Sequence, residues 1–157
     1  MKMEIESNVD EYKKKISTGL IITKETLNKT IFPEEIKDEI AKTPYYLLIF
    51  ISREDVIKIS CFPTKTNSIK KILIKLEEFS PEIVKGISEV LNKLNLIKDI
   101  LHTTGICYEL ENCFYETYLV GDLIDQNSEY NKKIEDEFMA LPRVNSVVIE
   151  DIPTLGS

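Results

Sequence analysis

Tryptophan is absent from this 157-residue chain, and glycine, cysteine and histidine are scarce at five, three and one. Each scarcity removes a class of chemistry. The five glycines are widely scattered, so no GxGxxG or GxxxxGK[ST] loop can cradle a phosphate, and no GxSxG elbow presents a nucleophile. A single histidine, His102, has no orienting third group at a readable spacing from any cysteine, so no nucleophilic triad is legible. Cys61, Cys107 and Cys113 are odd in number and lack a CxxC pair, which implies no disulfide framework and leaves free buried thiols as the expectation. His102, Cys107 and Cys113 match no familiar zinc spacing and want a fourth ligand. The adjacent carboxylates Glu77-Glu78 and Glu135-Asp136-Glu137 read as solvated faces of their elements. The expectation is a protein that is not an enzyme and uses neither metal nor cofactor.

Long apolar runs are missing too. YYLLIFI is far short of the roughly 20 residues that cross a bilayer, and no basic n-region followed by an apolar h-region opens the chain. A cytoplasmic protein with no membrane partner is expected. What is present suffices for a core: 43% of residues are hydrophobic, and the length fits one domain or two small ones. Formal charge is −7, unevenly placed. Met1 to Ser68 carries 11 basic and 11 acidic residues, whereas Ile69 to Ser157 carries 9 and 16. The acidic second half argues against that half lying on nucleic acid, and the neutral first half leaves the question open.

The clearest local signal is Ile72 to Leu94. Ile72, Ile74 and Leu76 alternate with Leu73, Lys75 and Glu77 as in a strand with one buried face. Ser80 stands where an N-cap belongs, Pro81 at the first helical position and Glu82 in the positive first turn. Ile83, Val84, Ile87, Val90, Leu91 and Leu94 then form one helical stripe. Downstream, the pattern predicts a strand over Ile97 to Leu110 with Gly105 as a bulge, a turn at Glu111-Asn112, and a strand from Cys113 to Leu123. A helix capped by Ser128 follows, with Tyr130, Ile134, Phe138 and Leu141 on one face, and a last strand at Val147 to Ile149. That order is β-α-β-β-α-β, the split βαβ of the ferredoxin-like superfold.

Upstream, residues 1 to 12 read as a polar arm and Lys13, Lys14 and Lys15 as a short basic run. Strands are predicted at Ile16 to Thr23 and Leu27 to Phe32, a short helix from Pro33 to Lys42, and a hairpin from YYLLIFIS and VIKISCF around Arg53-Glu54-Asp55. The hairpin is apolar on both faces and needs a cover, for which a second copy of the chain is a natural choice. The fold class expected is thus α+β: a small, mostly-β domain with one short helix (residues 1–66), a polar TKTNS boundary at Thr64 to Ser68, and a ferredoxin-like domain (residues 67–157).

Asn28-Lys29-Thr30-Ile31-Phe32-Pro33-Glu34-Glu35-Ile36, followed by a strand pair, resembles the AbrB/SpoVT/MazE type of swapped-hairpin domain over Ile22 to Phe62. It departs in Asn28 for the usual Gly, Glu34 for the common Lys, and the absence of a Gly-Asp turn after the helix. The resemblance implies an intertwined homodimer that binds double-stranded DNA through Lys24 and Lys29, with Lys13, Lys14 and Lys15 as backbone contacts. Glu34, Glu35, Asp38 and Glu39 would repel phosphates if they shared that side. The second half resembles an ACT-like regulatory domain in element order, element lengths and the Ser80-Pro81-Glu82-Ile83 loop. It implies a small-molecule effector such as an amino acid, held by Phe79, Ser80, Pro81 and Glu82 at the helix N-terminus and by His102, Thr103 and Thr104 on the second strand. Glu82 replaces the glycine usual at that loop. An RNA-recognition reading is disfavoured by the missing aromatic motif and the acidic charge. Together the resemblances imply a small dimeric transcriptional regulator, one half on DNA and the other oligomerising or sensing an effector. The alternative is an ACT-like ligand-binding or structural assembly module without DNA binding.

Overall fold

Thr23 decides the first departure from the sequence pattern. In the computed structural model, which describes residues 15–29, 32–37, 42–108 and 112–156, strand β1 (Thr18–Thr23) is followed at once by helix α1 (Lys24–Asn28). The strand expected at Leu27 to Phe32 is therefore replaced, through Asn28, by helix. Thr23 Oγ1 accepts from the Thr26 amide at 3.3 Å, an N-cap that starts the helix, and Leu27 is drawn inward as its buried residue. Helix α2 (Glu34–Lys37) covers part of the helix expected at Pro33 to Lys42; Asp38, Glu39 and Ile40 lie outside the described residues.

Strands β2 (Tyr45–Arg53) and β3 (Val56–Thr64) form the expected hairpin, closed by a two-residue turn in which Glu54 has φ 27°. β1, β2 and β3 make a three-stranded antiparallel sheet in that order. Ile22, Leu27 and Tyr46 form its small core, with Leu20, Phe32 and Leu48 packed around them. The last described residues return to this sheet: the Ile21 amide donates to Pro153 O at 2.9 Å, and the Leu155 amide to Ile21 O at 2.8 Å.

The second sheet is built from β4 (Ile69–Leu76), β5 (Ile100–Cys107), β6 (Cys113–Val120) and β7 (Val144–Asp151), in the order β5-β6-β4-β7. β4 with β7 and β5 with β6 pair antiparallel. Helix α3 (Pro81–Lys93) starts as its sequence dictates, Ser80 Oγ accepting from the Ile83 amide at 3.3 Å with Pro81 next. Its stripe of Ile83, Ile87, Val90 and Leu91, with Leu94 beyond its end, packs on Ile72, Ile74 and Leu76. A short helix α4 (Asp122–Gln126) precedes α5 (Ser128–Met139), whose Ile134 and Phe138 complete the core. The cap of α5 is Asn127, whose Oδ1 accepts from the Glu129 amide at 3.0 Å; Ser128 is its first helical residue. A 3-10 turn at Ile97–Asp99 takes the start of the expected long strand. The fold is mixed α+β with two antiparallel sheets.

The chain divides into two compact units, Ser17–Ile69 with Ile152–Ser157 and Lys70–Asp151 with the residues up to Ile16. The expected division at residue 66 differs from this in position and in the exchange of both chain ends. The reason is hydrogen bonding remote in sequence: Ile16 bonds into the second unit, while the Ile152 amide donates to Ile69 O at 3.0 Å in the first. Among the described residues no helix is long and apolar enough to cross a membrane.

Candidate functional site

Strand alternation sorts the expected ligand residues into two groups. On β5, His102, Thr104 and Ile106 lie opposite Tyr118, Glu116 and Phe114, while Thr103, Gly105 and Cys107 lie opposite Thr117, Tyr115 and Cys113. Successive side chains point to opposite faces, so Thr103 is on the helix side and its neighbours His102 and Thr104 are on the other. Phe79, Ser80, Pro81 and Glu82, at the N-terminus of α3, are also on the helix side.

On that side the Phe79 ring lies against Gly105 so closely that a Cβ there would sit 2.3 Å from its Cζ. Gly105 is not at a bulge, since the register shift of β5 falls between Ile100 and His102. Its lack of a side chain gives the aromatic ring its seat. Phe79 remains 40% exposed, so the ring is a half-open shelf. Beside it runs a row of hydroxyls. Thr103 Oγ1 is 3.0 Å from Thr117 Oγ1, Thr117 donates to His102 O at 3.3 Å, and Tyr115 bonds to Thr103. Burial raises the Tyr115 phenol pKa and the bond to Thr103 opposes that shift without reversing it, so the phenol stays protonated.

The loop itself offers an anion little. Pro81 has no N–H, the Ile83 amide is held by Ser80 Oγ, and the Val84 amide bonds to Ser80 O at 3.1 Å. That leaves the Glu82 amide as the first-turn donor, beside the Glu82 carboxylate. The arrangement suits a ligand with an apolar or aromatic face and neutral hydrogen-bonding groups.

The opposite face holds a charge cluster with no counterpart in the sequence reading. Lys71 Nζ lies 3.0 Å from Glu116 Oε2, with side chains 1% and 0% exposed. The Ile16 amide donates to the same oxygen at 2.8 Å, and Lys71 Nζ sits 5.5 Å from the centre of the Tyr118 ring. On the adjoining strand His102 Nε2 is 2.8 Å from Thr104 Oγ1, and burial lowers the His102 pKa, favouring neutral imidazole. A charged residue flanked by apolar ones on both strand faces, as Glu116 is between Tyr115 and Thr117-Tyr118, is the signal that could have marked it.

At one end of β4, Lys70 is paired with Asp125 at 2.6 Å and with Asp151. Burial lowers its pKa, the two carboxylates outweigh that, and the net shift is upward. Gly121 is required here, because a Cβ would come within 2.6 Å of Lys70 Cγ.

The cysteines depart from the expectation of free buried thiols. Cys107 and Cys113 are register partners at the end of the β5–β6 hairpin and form a disulfide, while Cys61 is free but exposed. Both sulfurs of the considered His102-Cys107-Cys113 set are thereby used. Among the described residues no group of three His, Cys, Asp or Glu is placed to hold a metal ion.

Of the expected DNA contacts, Lys13 and Lys14 lie outside the described residues, and Lys15 is exposed. Lys24 opens α1, half-buried, and Lys29 is its exposed C-cap. Five helical residues apart, they point about 140° away from each other rather than along one edge. Glu25, Glu34 and Glu35 are exposed in the same unit, whereas Lys15 belongs to the other. The chain matches no protein-family model and no curated protein sequence.

Proposed function

We propose that this protein is a dimeric regulatory module. Its Lys70–Asp151 unit is ferredoxin-like and ACT-like and senses a small molecule that lays an apolar or aromatic face on the Phe79 ring. Amino acids with apolar side chains are the first to test, the Glu82 amide being the first-turn donor left for their carboxylate. The Ser17–Ile69 unit builds the homodimer. Support for the fold comes from the strand order β5-β6-β4-β7, in which the first strand of the unit runs between its third and fourth, the arrangement a split βαβ requires. The observation that carries the function is the Phe79 shelf: a half-exposed ring seated on Gly105 beside the Thr103, Tyr115 and Thr117 hydroxyls. Few polar groups converging next to an apolar surface is the usual make-up of a small-molecule site.

Thermal shift against the twenty amino acids tests it. A ligand at 100 times its Kd adds about 2.7 kcal/mol, or roughly 5–11 °C for a chain of this length. The shift should vanish in Phe79→Ala, and a flat panel for the wild type would end the sensing role.

A second reading, that the protein regulates transcription by contacting double-stranded DNA, is favoured by Lys24 and Lys29 bracketing one surface helix in the unit with no net charge excess. Gel shift on bulk duplex DNA at about 50 mM salt decides it, because phosphate contacts already show there. Micromolar binding weakened by Lys29→Glu supports the reading, and no binding removes it.

A further inference from the structure

Strand β3 is an outer strand of the three-stranded sheet and among the described residues pairs only with β2. Two features fix which of its backbone groups point off the sheet. A two-residue turn closes on Arg53 and Val56 as a hydrogen-bonded pair, so Val56, Lys58, Ser60 and Phe62 bond inward to β2. Pro63, which has no N–H to give, falls on the alternate set, where that lack opens no hole in the ladder. Ile57, Ile59 and Cys61 therefore direct their N–H and C=O groups outward.

The side chains at those positions are unusual for an outer strand. Val56, Ile57 and Ile59 are 55%, 66% and 60% exposed, and Cys61 is an exposed thiol. Ile57, Ile59 and Cys61 share one face, continuous with Phe50 and Leu48 opposite them on β2. Proteins ordinarily blunt such edges with charge, proline, bulges or a cover. From Val56 to Thr64 there is one charged residue, Lys58, and one proline, Pro63, at the far end of the strand, so Ile57, Ile59 and Cys61 stay available.

We propose that β3 pairs with β3 of a second copy of this chain, about a two-fold axis at Ser60, to make one continuous six-stranded sheet. This deepens the dimer reading above and rests on it. The strand is self-complementary in that register. Ile59 falls opposite Cys61 of the second copy and exchanges both backbone hydrogen bonds with it, and Ser60 falls opposite itself. Ile57 falls opposite the second copy's Pro63, which accepts from the Ile57 amide but has no N–H to return, so each end of the ladder lacks one bond. Lys58 meets an aromatic residue, Phe62, rather than its own copy. Asp55, at the turn, comes across from Lys65 of the second copy, so the ends of the ladder carry opposite charges. A two-fold axis at Lys58 would oppose two ammonium groups, and one at Ile59 would set Arg53 against Lys65. Like charges directly opposite destabilise a strand pair.

Sedimentation velocity on the full chain tests this, with wild type, Ile59→Lys and Ile57→Lys compared at 1–100 µM in order of magnitude, bracketing common homodimer affinities. The wild type is expected to be a dimer, and each lysine variant is expected to weaken it at least about a hundredfold by placing charge in the seam. Both side chains are exposed, so far-ultraviolet circular dichroism should stay unchanged. A second variant fixes the register: Ile59→Cys, facing native Cys61 of the other copy, should give a covalent dimer on mild oxidation, abolished by adding Cys61→Ser. A wild-type monomer overturns both the pairing and the dimer reading, leaving this edge to another strand or to none. A dimer undiminished by either lysine variant overturns the β3 seam alone.

Discussion

Removing one partner of the Lys71–Glu116 pair is the perturbation whose size the structure fixes best. Both charges are essentially without solvent, 3.0 Å apart on adjacent strands in the middle of the second sheet. Lys71→Met leaves the carboxylate held by the Ile16 amide but without its ammonium. Glu116→Gln keeps an oxygen for that amide and removes the carboxylate that faces the ammonium at 3.0 Å. Breaking a buried pair from one side costs about 3–5 kcal/mol, because the surviving charge cannot be rehydrated. For a chain of this length that lowers Tm by roughly 6–20 °C. The double variant Lys71→Met/Glu116→Gln removes both charges of the pair. It should recover most of the loss, giving a favourable coupling of about 2 kcal/mol or more. The assay is thermal and urea unfolding by far-ultraviolet circular dichroism. With two compact units, the shift should fall on the transition of the Lys70–Asp151 unit if two are resolved. Single variants that each cost under about 1 kcal/mol, with unchanged m-values, would refute the burial argument, since exposed pairs behave that way.

Two further outcomes concern the disulfide and the response to pH. The Cys107–Cys113 bridge closes a loop with a sequence separation of 6, which by chain entropy stabilises by about 2 kcal/mol. Urea midpoints with and without reductant should differ accordingly, and an unchanged midpoint in protein shown by mass to be reduced would contradict it. Stability should also fall at both ends of the pH range. His102 has a folded pKa below its ordinary 6.5, so its contribution is full above that value and is lost as pH falls toward the folded pKa. Lys70 has a folded pKa above 10.5, so its contribution is full below that value and is lost as pH rises through the folded pKa. His102→Gln should flatten the acid limb and Lys70→Met the alkaline one; limbs unmoved by these variants would show that other groups govern them.

What could be read from the sequence was what is local. The Ser80 cap, Pro81 and the stripe from Ile83 to Leu94 depend on neighbours within one or two turns, and the structure has them in place except Val84, which is half-buried and outside the core. The Tyr45–Thr64 hairpin was legible for the same reason. The readings that failed hinge on partners far away in the chain or on one competing side chain. Thr23 turned a strand-like Leu27 segment into helix. Gly105, which reads as a bulge, answers to Phe79, 26 residues earlier. The disulfide depends on the β5–β6 register, which places Cys107 opposite Cys113. Lys71 and Glu116 lie far apart in the chain, and only the sheet order brings each to the other. The ligand residues were divided by the simplest rule of all: three consecutive strand positions, His102 to Thr104, cannot face one pocket.

The central claim, that the Phe79 shelf is a small-molecule site, is tested most directly by amide chemical-shift mapping of the full chain during titration with free amino acids. Saturable shifts are expected for at least one of them, concentrated at Phe79, Glu82, Thr103, Gly105 and Tyr115 and absent from β1, β2 and β3. Shifts centred elsewhere, or none at millimolar ligand, where even weak sites of about 1 mM Kd are half filled, would contradict it.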